Sequence, residues 1–288
     1  MKISVVGLGA MGRGVTLRLL ERGHTPTVWN RSPEPARALA SDGATIAADV
    51  SEALAADVTF VVLYDDDAVR SVILDNAHLE AIRPGSVVVG MSTISIALAQ
   101  ELDEAMRAID AHYVGGLMFG RPDKAEAGEL QLAVGGAPAV VERITPILEC
   151  LGTVWSMGES ALDAHAAKLA GNYLIACSIA TIGESAAIAS STGAHPGKFL
   201  DMITQTLCSA PISKFHAGPI IASEAPDDKA GLDIVLKDVR LGLEQAQSTG
   251  IELTIAEAVV ERFEASQKSG FGSRSAYGIY EMAKGEKA

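Results

Sequence analysis

Lys168 is the only formally charged residue between Ala164 and Gly183, in a stretch that also holds His165 and Asn172 but is mostly apolar and small residues. A surface helix carries several charges, so one lysine in a buried helix calls for a partner or a task. Asn172 stands four residues on, which places both side chains on one face of a helix. Burial disfavours an ammonium, and that suits a lysine to proton transfer near neutral pH. Asn172 is suited to holding a substrate oxygen or orienting the ammonium. A snorkelling or salt-bridged lysine fits the same spacing.

A second constellation is Gly7-Leu8-Gly9-Ala10-Met11-Gly12. G-x-G-x-x-G is weak by itself, but here it follows an apolar strand, Lys2–Val6, and opens an amphipathic helix, Met11–Arg22. Gly7 allows the tight turn, Gly9 lets the backbone approach a pyrophosphate, and Gly12 lets the helix pack near the strand. The helix N-terminus then presents free N–H groups and its positive dipole end to the phosphates. All six residues are candidate dinucleotide contacts. At the end of the second strand, Thr27–Trp29, the chain continues Asn30-Arg31-Ser32. An NAD enzyme usually has a carboxylate there for the ribose hydroxyls. Here Arg31 supplies positive charge, and Asn30 and Ser32 supply hydrogen bonds, so NADP(H) is expected over NAD(H). A solvated turn arginine is the alternative reading of Arg31.

These groups need elements to position them. The 288 residues suit two domains, and 48% hydrophobic with 20% charged residues describes an ordinary soluble protein. A net charge of −13 argues against a nucleic-acid partner while leaving a local anion site possible. Cys150, Cys177 and Cys208 lie far apart among apolar neighbours and read as buried reduced thiols, and no metal-ligand spacing is present. The chain enters a strand at once, with no pattern of a signal peptide, and reads as cytoplasmic. The Ala164–Gly183 stretch is long enough for a membrane span but poor in composition for one, so no membrane partner is expected.

Up to about Ser156, strands alternate with helices. Helices are expected at Pro33–Ser41 and Ile96–Ile109, and strands at Thr59–Leu63, Ser86–Gly90, Tyr113–Val114 and Leu130–Val134. That alternation predicts a parallel sheet covered by helices, an N-terminal Rossmann domain over 1–158. From there the pattern is helical, an all-α domain over 159–288. A long interdomain helix from about Ser160 to about Thr192 should be buried on most sides. Further helices are expected at Gly197–Thr206, Ile212–Ala217, Leu232–Ser248 and Thr254–Ser266, with a frayed end at Lys284–Ala288. The apolar surface of the long helix exceeds what one small domain covers, which predicts a homodimer or higher homo-oligomer.

Taken together, the glycine turn, Trp29-Asn30-Arg31-Ser32, Met91-Ser92-Thr93, the Gly116–Gly128 segment, Lys168-x-x-x-Asn172 and Lys237-Asp238 resemble the β-hydroxyacid dehydrogenase family over nearly the whole chain. The resemblance implies hydride exchange between a nicotinamide cofactor and a small hydroxy acid, semialdehyde or other carbonyl substrate. It implies that Lys168 is the general acid/base, that Asn172 binds substrate, and that Thr93 and Lys237 contact the cofactor. Leu63 and Tyr64 are expected along the route to the nicotinamide, and Ser92, Phe119, Gly120 and Arg121 beside the substrate. The chain departs from the family at Phe119, where a serine is usual, at Arg121, where a glycine is usual, and at Leu162, where a small residue is usual. Phe119 removes a hydroxyl and adds an apolar wall, while Arg121 is able to pair with an acid, in a substrate or on the protein surface. An imine reductase and a non-enzymatic NADP(H)-binding protein remain as alternative readings.

Overall fold

The computed structural model describes residues 1–225 and 231–285, so 286–288 of the expected frayed end lie outside the described residues. The chain divides into two compact units, Met1–Lys168 and Leu169–Ala288. The first runs β1 (Ile3–Val6), α1 (Ala10–Glu21), β2 (Thr27–Trp29), α2 (Pro33–Ala40), β3 (Thr45–Ile46), α3 (Val50–Leu54), β4 (Val58–Val61), α4 (Asp66–Ile73), α5 (Asn76–Ala81) and β5 (Val87–Gly90). It continues with α6 (Ile96–Ala108), β6 (His112–Phe119), α7 (Pro122–Ala127), β7 (Leu130–Gly135), α8 (Pro138–Leu151), β8 (Gly152–Gly158) and the start of α9 (Ala161–Ser190).

The strands form one sheet in the order β3-β2-β1-β4-β5-β6-β7-β8, a Rossmann-type arrangement. β1, β4 and β5 are short runs of mostly β-branched residues buried on both faces, as a helix-covered parallel sheet requires. In register, Val5, Phe60 and Val89 point into one core, and Val6, Val61 and Val88 belong to the other. The expected parallel sheet needs one correction: β6 and β7 pair antiparallel. Residues 120–129 between them fall short of the roughly dozen residues that a parallel crossover takes. The Gly116–Gly128 segment is the end of β6 followed by α7. β8, which extends beyond Ser156 to Gly158, was not anticipated, nor were the short helices α3, α4 and α5. Asp49, Asp65 and Asp75 cap those helices by accepting from backbone N–H groups.

The division between the compact units falls at 168/169, inside α9. The first turns of α9 lie directly on the sheet. A Cβ at Gly115 would stand 2.6 Å from the Ala161 carbonyl oxygen, and one at Gly135 would stand 2.3 Å from that of Ser160. Glycines in β6 and β7 thus let the helix backbone approach, and this contact sets where Lys168 emerges.

The second unit contains the rest of α9 with α10 (Pro196–Gln205), α11 (Pro211–Ala222), α12 (Gly231–Ser248), α13 (Thr254–Lys268) and α14 (Ser275–Ala283). Its core gathers Ile179, Leu200, Leu236, Phe263 and Ile279. α11 is longer than expected, and α14 was not anticipated. α9 is less covered than its composition suggested. Leu174 and Ile188 on it are 68% and 73% exposed. The cysteines also differ from expectation: all three are free thiols, but Cys150 and Cys177 are half-buried and Cys208 is exposed.

Candidate active site

β1 ends in the glycine turn. Gly7 has φ +95°, a left-handed conformation, and a Cβ there would stand 2.1 Å from the Val62 carbonyl oxygen. A Cβ on Gly12 would stand 1.9 Å from the Gly7 oxygen, so α1 closes onto the turn. Gly9 differs: a Cβ there would meet nothing within 4 Å. The protein's own packing leaves space in front of this backbone, as close approach by a pyrophosphate requires. The first helical bond is Arg13 N–H to Gly9 oxygen, so the amides of Ala10, Met11 and Gly12 precede it, and the first turn of α1 carries no acidic residue. These features fit a dinucleotide phosphate.

Asn30 is hydrogen-bonded within the protein. Its Oδ1 accepts from Leu8 N–H at 3.0 Å and its Nδ2 donates to the Ser32 carbonyl at 3.0 Å. The side chain braces the glycine turn against the end of β2. Arg31 and Ser32 are exposed beside it, and Ser32 starts α2 without a side-chain cap bond. The turn at 30–32 therefore presents one cation and no carboxylate.

β4 and β5 end side by side. Ser92 is buried, donates to the Val61 carbonyl at 3.2 Å and accepts from Leu63 N–H at 2.7 Å. Its hydroxyl ties the two strand ends together. Leu63 and Thr93 are half-buried and Tyr64 is exposed, all just past the carboxyl ends of parallel strands.

Pairing of β5 with β6 stops at Gly90 and Gly115, so the last residues of β6 lack a strand neighbour on that edge. There Lys168 Nζ donates to the Met118 carbonyl at 2.7 Å and lies 4.3 Å from the centroid of the Phe119 ring. Lys168 is half-buried, and Phe119 packs on the small cluster of Leu117, Ala133 and Ala164. Gly120, with φ +142°, leads to exposed Arg121 at the start of α7. Arg121 pairs with Asp123 through Nε at 3.0 Å and a terminal nitrogen at 3.1 Å. Its charge is thus met by an acid of its own helix.

One turn before Lys168 lies a pair that sequence reasoning missed. His165, 1% exposed, makes a 3.0 Å hydrogen bond between Nε2 and the Tyr113 hydroxyl, with the rings stacked. Burial pushes the His165 imidazole down to about 4 and pushes the Tyr113 phenol well up, with Asp103 and Asp66 adding to the latter. Both are neutral at ordinary pH. Gly90 makes room: a Cβ there would stand 2.1 Å from the Tyr113 hydroxyl. The available signal was a histidine within an apolar helix, three residues before Lys168.

In the second unit, Asn172 is buried and its Nδ2 donates to Asp238 Oδ2 at 2.5 Å. Lys237 Nζ donates to Asp238 Oδ1 at 2.6 Å. Asp238, 6% exposed, therefore binds both residues and directs the NH2 end of Asn172 towards itself. The sequence marked Asp238 only as part of the Lys237-Asp238 motif, with no role of its own; it stands among the buried residues Leu232, Leu236 and Val239 of α12.

Two families match successive parts of the chain. The family described as the NAD binding domain of 6-phosphogluconate dehydrogenase matches residues 2–158. The family described as NAD-binding of NADP-dependent 3-hydroxyisobutyrate dehydrogenase matches residues 163–282. The chain is 31% identical to the oxidoreductase YfjR of Bacillus subtilis (strain 168), over 94% of this chain and 96% of that one. A 3-hydroxyisobutyrate dehydrogenase from Salmonella typhimurium shares the fold with a TM-score of 0.86, at 24% identity, covering 98% of this chain and 99% of that one. An imine reductase from Bacillus cereus is similar at a TM-score of 0.65 and 26% identity, covering 98% and 99%.

Proposed function

The chain belongs to the β-hydroxyacid dehydrogenase family, and from that premise we propose that it is an NADP(H)-dependent oxidoreductase interconverting a small hydroxy acid, or a related hydroxy compound, and its carbonyl form. The observation that carries this reading is the Lys168 ammonium at the open end of β6, held by the Met118 carbonyl at 2.7 Å and the Phe119 ring. When bound, the nicotinamide supplies or accepts the hydride. Lys168 Nζ donates a proton to the substrate oxygen in reduction and takes it back in oxidation. Asn172, one turn further along α9 and oriented by Asp238, holds the substrate oxygen. The glycine turn receives the pyrophosphate, while Arg31 and Ser32 receive the adenosine end with its 2′-phosphate. Thr93 and Lys237 contact the cofactor, and Leu63 and Tyr64 line its path. Preference for NADP(H) is supported by the carboxylate-free turn at 30–32 and by the NADP-dependent family matched at 163–282. A homodimer or larger assembly is supported by exposed Leu174 and Ile188 on α9.

Steady-state assays of small carbonyl and hydroxy compounds with NADPH and NADH test the reading. Lys168→Ala should lower turnover by ~10²–10⁴-fold, the usual contribution of a positioned acid/base, with cofactor affinity preserved. Near-normal turnover would remove Lys168 from the mechanism. Imine reduction is a second reading, favoured by the likeness to the Bacillus cereus enzyme and by the Phe119 ring. A cyclic imine assayed beside a small semialdehyde separates the two.

A further inference from the structure

Resting on the proposed carbonyl chemistry at Lys168, we infer that the substrate carries an apolar group, not a carboxylate, on its reacting carbon, and that Phe119 selects for it. The argument starts from distances. A proton donor must come within about 3 Å of the oxygen it serves. A substituent on a carbonyl carbon lies roughly 2.4 Å from that oxygen. Because the Phe119 centroid is 4.3 Å from Nζ, a substituent on the ring side of the reacting carbon comes within van der Waals range of the ring. A carboxylate there would meet the negative face of the aromatic system and give up water without gaining a donor.

The two donor side chains expected beside the substrate, those of Ser92 and Arg121, are already engaged. The Ser92 hydroxyl is buried between the Val61 carbonyl and Leu63 N–H. The Arg121 guanidinium faces Asp123 with two hydrogen bonds, and its side chain is 52% exposed. Lys168 itself is committed to the reacting oxygen. Phe119 is held in place by the Leu117, Ala133 and Ala164 cluster, so the ring is a fixed wall. A branched alkyl or aryl group gains from that wall what a carboxylate loses.

Glyoxylate and isobutyraldehyde form a suitable probe pair, because a carboxylate and an isopropyl group of similar shape stand on the same aldehyde carbon. The wild-type protein should show kcat/KM for isobutyraldehyde higher by ~10-fold or more. Phe119→Ser should move that ratio towards glyoxylate by ~10-fold or more, and Phe119→Leu should hold it within about threefold. Far-ultraviolet circular dichroism confirms that each variant is folded. A wild-type preference for glyoxylate, or an unchanged ratio in a folded Phe119→Ser variant, would overturn the substituent assignment and leave the carbonyl chemistry standing. Absence of turnover of both aldehydes with NADPH and with NADH would overturn the assignment together with the reading beneath it.

Discussion

His165 should make the Rossmann unit unusually sensitive to mild acid. Its imidazole lies at about 4 in the folded chain, against the ordinary 6.5, because burial penalises the charged ring. A lowered value means that the folded state takes up a proton later than the unfolded state does. The stabilising contribution is therefore fully present above about pH 6.5 and is lost as pH falls towards 4. At pH 5 the loss is about 2 kcal/mol relative to pH 7.5, approaching about 3 kcal/mol below pH 4. Urea unfolding followed by tryptophan fluorescence reads this directly, because both tryptophans, Trp29 and Trp155, lie in the first unit. His165→Gln keeps an amide within reach of the Tyr113 hydroxyl but does not titrate. The variant should be less stable at pH 7.5, by about 1–3 kcal/mol from the altered buried hydrogen bond. Between pH 7.5 and 5.0 it should nevertheless lose about 2 kcal/mol less than the wild type. Carboxylates such as Asp57, held down by the Lys2 N–H and Arg83, titrate alike in both proteins and cancel. Parallel losses in the two proteins would refute the claim that His165 is buried neutral.

The glycines of the turn should separate fold from ligand. Gly9→Ala should leave the melting temperature unchanged while weakening NADPH binding by ~10-fold or more, measured by calorimetry. Gly12→Ala should instead lower the melting temperature, because its Cβ would overlap the Gly7 oxygen and overpacking costs about 1–3 kcal/mol. Equal behaviour of the two variants would count against the open space at Gly9 as the phosphate approach. Arg31→Ala should raise KM for NADPH by ~10-fold while leaving that for NADH within about twofold, and equal effects would sink the NADP assignment. Sedimentation at micromolar concentration should show at least a dimer, and Leu174→Glu should shift it towards monomer. A wild-type monomer would defeat the oligomer proposal.

The Rossmann half was readable because its signals are local. Buried parallel strands are continuous apolar runs, and glycine is demanded by backbone geometry within a few residues, as at Gly7 and Gly12. Lys168 and Asn172 stood out for the same reason, as polar residues at helical spacing in an apolar stretch. What the sequence did not show was which partners the polar side chains would find. Asn30, Ser92 and Arg121 have residue types suited to ligands, yet each found a partner inside the protein: Leu8 and Ser32, Val61 and Leu63, and Asp123. Tyr113 and His165 are 52 positions apart, and Asn172 and Asp238 are 66 apart, so neither pair has a sequence signature. The antiparallel turn of β7 and the end of β6 beyond β5 follow from sheet pairing, which periodicity does not encode. Residue type and short-range spacing thus sufficed for the fold class. A polar side chain's final role depends on which donor or acceptor lies within about 3 Å, and only the folded chain decides that.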